Sequence, residues 1–74
     1  MKQIEIFTGP ECGYCEAAKA LLKRHELTYT ERDVSQPDVL AEFQRRLLRV
    51  RSIPQIFIDG EHIGGYEDLE LKLK

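Results

Sequence analysis

Apolar and polar residues along this chain fall into short runs of differing period, and each run predicts an element. Ile4-Glu5-Ile6-Phe7 predicts a first strand, ended by the breakers in Thr8-Gly9-Pro10-Glu11. From Gly13 to about His25 the period becomes helical, with Cys15, Ala18, Leu21, Leu22 and His25 on one side. A second strand is expected over residues 28–33, where Tyr29 and Thr30 supply β preference. Ser35-Gln36-Pro37-Asp38 reads as a helix start, with Ser35 as N-cap and Asp38 at N3. Val39, Leu40, Phe43, Leu47 and Val50 follow as an apolar stripe, and Glu42, Arg45, Arg46 and Arg49 mark a solvated opposite face.

Ile53-Pro54-Gln55-Ile56-Phe57-Ile58 predicts a strand from the middle of a sheet, with Pro54 at its start because proline donates no ladder bond. Asp59-Gly60 is a two-residue hairpin signal, so Glu61-His62-Ile63 should return antiparallel. Gly64-Gly65 breaks that strand, and residues 66–73 have room for about two turns of a last helix. The order is βαβαββα. A parallel βαβ half joined to a hairpin half predicts an α/β domain with a mixed four-stranded sheet flanked by helices.

Length and charge narrow the function classes. Seventy-four residues, 1–74, are expected to form a single small domain, near the lower size at which a core suffices. A net charge of −2 offers no basic footprint for nucleic acid, and no apolar run approaches membrane-spanning length. Met1-Lys2-Gln3 leads into a strand without a signal-peptide core, so a reducing cytoplasmic setting is expected. There the only two cysteines are kept for reactivity rather than as a staple.

Those cysteines, Cys12 and Cys15, bracket Gly13-Tyr14 where the first helix begins. A helix N-terminus presents unpaired N–H groups and the positive end of a dipole, which stabilise a thiolate. Cysteine in such places has its pKa lowered from about 8.5 to roughly 3.5–7.5. Cys12 is the candidate nucleophile; Cys15, one turn in, is the candidate resolving thiol, close enough to close a disulfide. His25 and His62 lack the spacing of a zinc site and are expected at the surface or a helix end.

Taken with Ser52-Ile53-Pro54-Gln55-Ile56-Phe57-Ile58 and His62-Ile63-Gly64-Gly65-Tyr66-Glu67-Asp68-Leu69, the Cys12-Gly13-Tyr14-Cys15 motif resembles that of bacterial-type dithiol glutaredoxins. C-x-x-C alone is weak, being shared with thioredoxins, thiol oxidases and zinc sites; the three segments in order are specific. The resemblance spans nearly the whole chain and implies a thioredoxin-like fold. It implies a glutathione-dependent thiol–disulfide oxidoreductase acting on protein disulfides and glutathione mixed disulfides, ribonucleotide reductase among its partners, as a monomer. It also implies a cis peptide before Pro54, Ile53 free to bond an extended substrate, and a glutathione site of Tyr14, Arg51, Ile53, Pro54, Gly65, Tyr66 and Asp68. No tightly bound cofactor or metal is implied beyond glutathione as co-substrate. A variant of the family instead places Cys12 on a shared [2Fe–2S] cluster, and another is recharged by thioredoxin reductase. Many glutaredoxins carry lysine three residues before the first cysteine, helping to hold the thiolate, whereas this chain has Gly9. The short final helix is a second departure.

Overall fold

The computed structural model describes residues 2–74. Its elements are β1 (Ile4–Thr8), α1 (Gly13–Arg24), β2 (Thr30–Asp33), α2 (Pro37–Arg46), β3 (Gln55–Ile58), β4 (Glu61–Gly64) and α3 (Tyr66–Lys72). The sheet order is β2-β1-β3-β4, with β1 and β2 parallel and the other two pairings antiparallel. The expected βαβαββα order and mixed four-stranded sheet are both present, in the thioredoxin-like arrangement.

Strand alternation divides the interior into two layers. Ile4, Ile6, Ile56 and Ile58 point to one face and pack with Ala18, Leu21 and Leu22 of α1 and Leu69 of α3. Phe7 and Phe57 point to the other face and meet Val39, Phe43 and Leu47 from α2 and its exit. The Phe7 ring sits edge-on to Phe43 and Phe57, with centroids 5.3 and 5.9 Å apart. Asp59 and Gly60 both take positive φ, 52° and 83°, as a tight hairpin turn between β3 and β4 requires.

Four local expectations are corrected. Ser35 is not the cap of α2: Asp33 Oδ1 accepts its N–H at 2.8 Å, holding it in the preceding turn. Gln36 takes the cap position with no side-chain bond, Pro37 opens the helix, and Asp38 stands in its first turn. Leu40 does not share the buried stripe; Val39, Phe43 and Leu47 follow an i, i+4, i+8 line against the sheet and leave it exposed. Pro54 lies just before β3, which starts at Gln55. Finally, Glu42 and Arg46 do not form a solvated face. They join Glu5 of β1 and Arg32 of β2 in an ion-pair network over the second core layer, Arg46 lying 4.1 Å above the Phe57 ring. Their side chains are only 26–27% exposed.

Candidate active site

Everything expected to react meets where α1, the α2–β3 connection and the start of α3 converge. Cys12 caps α1 with extended backbone, φ −117° and ψ 102°, and its sulfur accepts the N–H of Cys15 at 3.1 Å. A sulfur in this place does the work of a serine or aspartate N-cap, so an amide already points at any negative charge it acquires. Cys12 and Cys15 are joined as a disulfide, with Cα atoms 5.2 Å apart. Cys15 is fully buried among the α1 core residues, while Cys12 is half-buried at the surface.

Across from Cys12 runs the connection into β3. The carbonyl oxygen of Ile53 lies 3.8 Å from Cys12 Sγ, and the Ile53–Pro54 peptide is cis. Residues 51–54 make no backbone–backbone hydrogen bond among the described residues, and the Ser52 carbonyl accepts only from the Gln55 side chain, so the Arg51, Ser52 and Ile53 amides stay open to another chain. Ile53 also explains Gly9: a Cβ at position 9 would stand 2.7 Å from Ile53 Cδ1. A side chain at position 9 would require the end of the Ile53 side chain to turn aside.

A groove of about 780 Å³ extends from this point. It gathers Tyr14, Arg51, Ile53, Pro54, Gly65, Tyr66 and Asp68, which are all the residues expected to hold a tripeptide. Tyr14 is 63% exposed and its ring is 5.9 Å from that of Tyr66, giving one wall an aromatic pair. Arg49 and Arg51 also line the groove. The arginines of α2 and its exit are therefore divided: Arg46 is in the ion-pair network, Arg45 is exposed on α2, and Arg49 and Arg51 reach the groove. Asp68 Oδ2 accepts the Gly65 N–H at 3.1 Å, one half of a capping box that glycine cannot return. Gly64, at φ 126°, is required there, because a Cβ would run into the Asp68 carboxylate.

Several lining residues escaped the sequence reading, Val50, Ser52, Gln55, His62 and Leu71 among them. Gln55 and His62 face the groove, His62 Nε2 lying 2.7 Å from Gln55 Oε1. Gln55 had a legible signal, a lone amide within an otherwise apolar strand; His62 had none. His25, by contrast, is the exposed C-cap of α1, as expected.

The family model described as glutaredoxin matches residues 4–63. The chain belongs to the glutaredoxin family. Among curated relatives, the glutaredoxin of Neisseria meningitidis is 41% identical over 71 residues, covering 93% of this chain and 82% of its own. Of solved structures, glutaredoxin 1 from Francisella tularensis, complexed with cacodylate, superposes with a TM-score of 0.84 at 26% identity, over 99% and 93% of the two chains. A buckwheat glutaredoxin–glutathione complex superposes at 0.83 with 29% identity, over 97% and 68%. Family membership and the Cys12–Cys15 pair make the chain a thiol–disulfide oxidoreductase. Among the described residues no helix is long and apolar enough to cross a membrane. Nor do three or more His, Cys, Asp or Glu side chains gather there as a metal site would require.

Proposed function

We propose that this glutaredoxin domain, residues 1–74, uses glutathione to reduce glutathione mixed disulfides and protein disulfides, working as a cytoplasmic monomer with ribonucleotide reductase among its partners. The observation that carries the reading is the placement of Cys12 Sγ. It accepts the Cys15 amide at the head of α1 and opens beside the free backbone of Ile53. The buckwheat relative solved with glutathione supports the choice of co-substrate.

In the reduced enzyme, the Cys12 thiolate attacks the glutathione sulfur of a mixed disulfide. The old S–S bond breaks, its electron pair leaves with the partner's sulfur, and that thiolate takes a proton from water. A second glutathione thiolate then attacks the Cys12–glutathione bond, releasing oxidised glutathione and restoring the Cys12 thiolate. With a protein disulfide, the Cys15 sulfur resolves the Cys12–protein bond instead and closes the Cys12–Cys15 disulfide, which two glutathiones reopen. In the groove, Ile53 and Pro54 line the substrate's extended backbone, with the Ile53 amide and carbonyl pairing to it. Asp68 accepts from its ammonium, Gly65 and Tyr66 frame its γ-glutamyl carboxylate, Tyr14 covers it and Arg51 meets its far carboxylate.

The test is reduction of a glutathione mixed disulfide at the expense of glutathione, regenerated by glutathione reductase. Turnover is expected; turnover with thioredoxin reductase and none with glutathione overturns the reading. One observation favours a second activity. A Cβ at Gly13 would have nothing within 4 Å, so the rim beside Cys12 is uncrowded. With Cys15 fully buried, each chain offers one thiolate, so a [2Fe–2S] cluster fits only between two chains with two glutathione sulfurs completing four ligands. Anaerobic reconstitution with iron, sulfide and glutathione should then give a coloured dimer by size exclusion, and a colourless monomer eliminates it.

A further inference from the structure

Gln55 is one of two buried polar residues among those described, only 6% exposed, in a strand that is otherwise apolar. An apolar residue of its size would fill that space without hydrogen bonds to satisfy. All the side-chain bonds of Gln55 run toward the groove. Its Nε2 donates to the Ser52 carbonyl at 3.1 Å and lies 3.3 Å from Ser52 Oγ, and its Oε1 meets His62 Nε2 at 2.7 Å.

The chemistry of the three partners fixes every direction. A carbonyl only accepts, so the amide nitrogen of Gln55 must face Ser52 and its oxygen must face β4. His62 must therefore donate, carrying a proton on Nε2. Its ring is held for this by packing on Phe57, with centroids 5.1 Å apart. The segment so gripped has no other backbone tie, since residues 51–54 make no backbone–backbone hydrogen bond among the described residues. It is also the segment whose next carbonyl stands 3.8 Å from Cys12 Sγ.

We propose that Gln55, oriented by His62, is a positioning residue that locks the Ser52–Ile53 backbone in the shape on which a disulfide substrate docks. The proposal rests on the function above for the identity of the substrate. The lock acts before chemistry: it leaves the thiolate untouched and lowers the cost of ordering the docking edge when substrate arrives.

Three variants separate this from a role in folding. Gln55→Met keeps the volume and removes every bond; His62→Phe keeps the ring on Phe57 and removes the donor; His62→Gln returns a donor without ring or charge. With a glutathione mixed disulfide of a short peptide as varied substrate, Gln55→Met should raise KM about tenfold, equivalent to about 1.4 kcal/mol, with kcat little changed. His62→Phe should raise KM in the same direction, and His62→Gln should bring it back toward wild type. Thermal midpoints of the three should not follow that order. Backbone amide order parameters of Ser52 and Ile53 read the lock without turnover, and in Gln55→Met they should fall from about 0.85 toward 0.6. Unchanged order parameters, or a KM that tracks the thermal midpoint, overturn the proposal. Absence of glutathione turnover in the wild type overturns only the reading of the substrate, and the order parameters still decide the lock.

Discussion

Cys12 and Cys15 are three residues apart yet chemically unlike, because the first turn of α1 leaves one sulfur at the surface and seals the other inside. Cys12→Ser should therefore abolish exchange with every disulfide. Cys15→Ser should keep glutathione mixed-disulfide reduction, which needs one enzyme thiolate, and lose most protein-disulfide reduction, which needs a resolving sulfur. Parallel assays of the two substrates check this, and activity retained by Cys12→Ser would reverse the assignment. The reactive pair was legible at this scale, since spacing and the adjacent helix start are written in the sequence. The meaning of Gly9 was not. Its lack of a side chain matches an isoleucine forty-four positions later, whose Cδ1 would lie 2.7 Å from a Cβ at position 9. Gly9→Lys alone should lower the thermal midpoint as Ile53 is displaced, at the edge of Cys12's own contact. Adding Ile53→Val, which removes that methyl, should restore the midpoint and extend the Cys12 thiolate to lower pH through the added cation. Ultraviolet thiolate absorbance against pH measures it; a double variant that titrates like wild type means the lysine does not reach the sulfur.

Elements with strong periodicity appear where the pattern puts them, and those set by turn chemistry shift. α1 and β3 announce themselves by an unbroken apolar spacing, and the Asp59-Gly60 hairpin by two residues that tolerate positive φ. The start of α2 moved because Ser35 is held in the turn before it, leaving Gln36 at the cap position. Ser35 is a good cap by type, but Asp33 Oδ1 accepts its amide and fixes it in an Asx-type turn, a local bond that propensity alone does not reveal. The start of α1 offers a test of capping at the element scale. Gly13 is the first residue of the helix, exposed, with open space around it, and Cys12 before it is already extended. Proline fits this position: its fixed φ suits N1, and an extended preceding residue suits the ring. Gly13→Pro should stabilise the fold by about 0.4–1 kcal/mol, largely by restricting the unfolded chain, a rise of about 2–8 °C in thermal midpoint. A midpoint that falls would mean Gly13 adopts a backbone that proline cannot share.

Across the whole molecule, charge does what so small an interior leaves undone. The second core layer is closed not by more apolar surface but by Glu5, Arg32, Glu42 and Arg46, which tie β1, β2 and α2 together over the Phe7 and Phe57 rings. The sequence hid this network because its members are up to 41 positions apart, and a helix charge looks solvated until the strand it faces is known. The Arg32 guanidinium hydrogen-bonded to Glu42, with Arg46 beside it, holds that carboxyl below the usual carboxylate range. A similar shift holds Glu31, through the Thr8 hydroxyl first and Lys19 second. A carboxyl that titrates lower in the folded state than its unfolded value of 4.5 adds stability that is complete above that pH. The contribution disappears as pH falls through the folded value, because both states then carry the proton. Glu42→Gln should thus melt below wild type at neutral pH, and the gap should narrow as the medium is taken below the carboxylate range. Salt should shrink the gap at neutral pH as well, since these side chains remain a quarter exposed and open to screening. Thermal midpoints of the two proteins across an acid series decide the matter. A gap that stays constant with pH would mean that Glu42 acts through packing against its neighbours, and that its charge contributes nothing to holding α2 on the sheet.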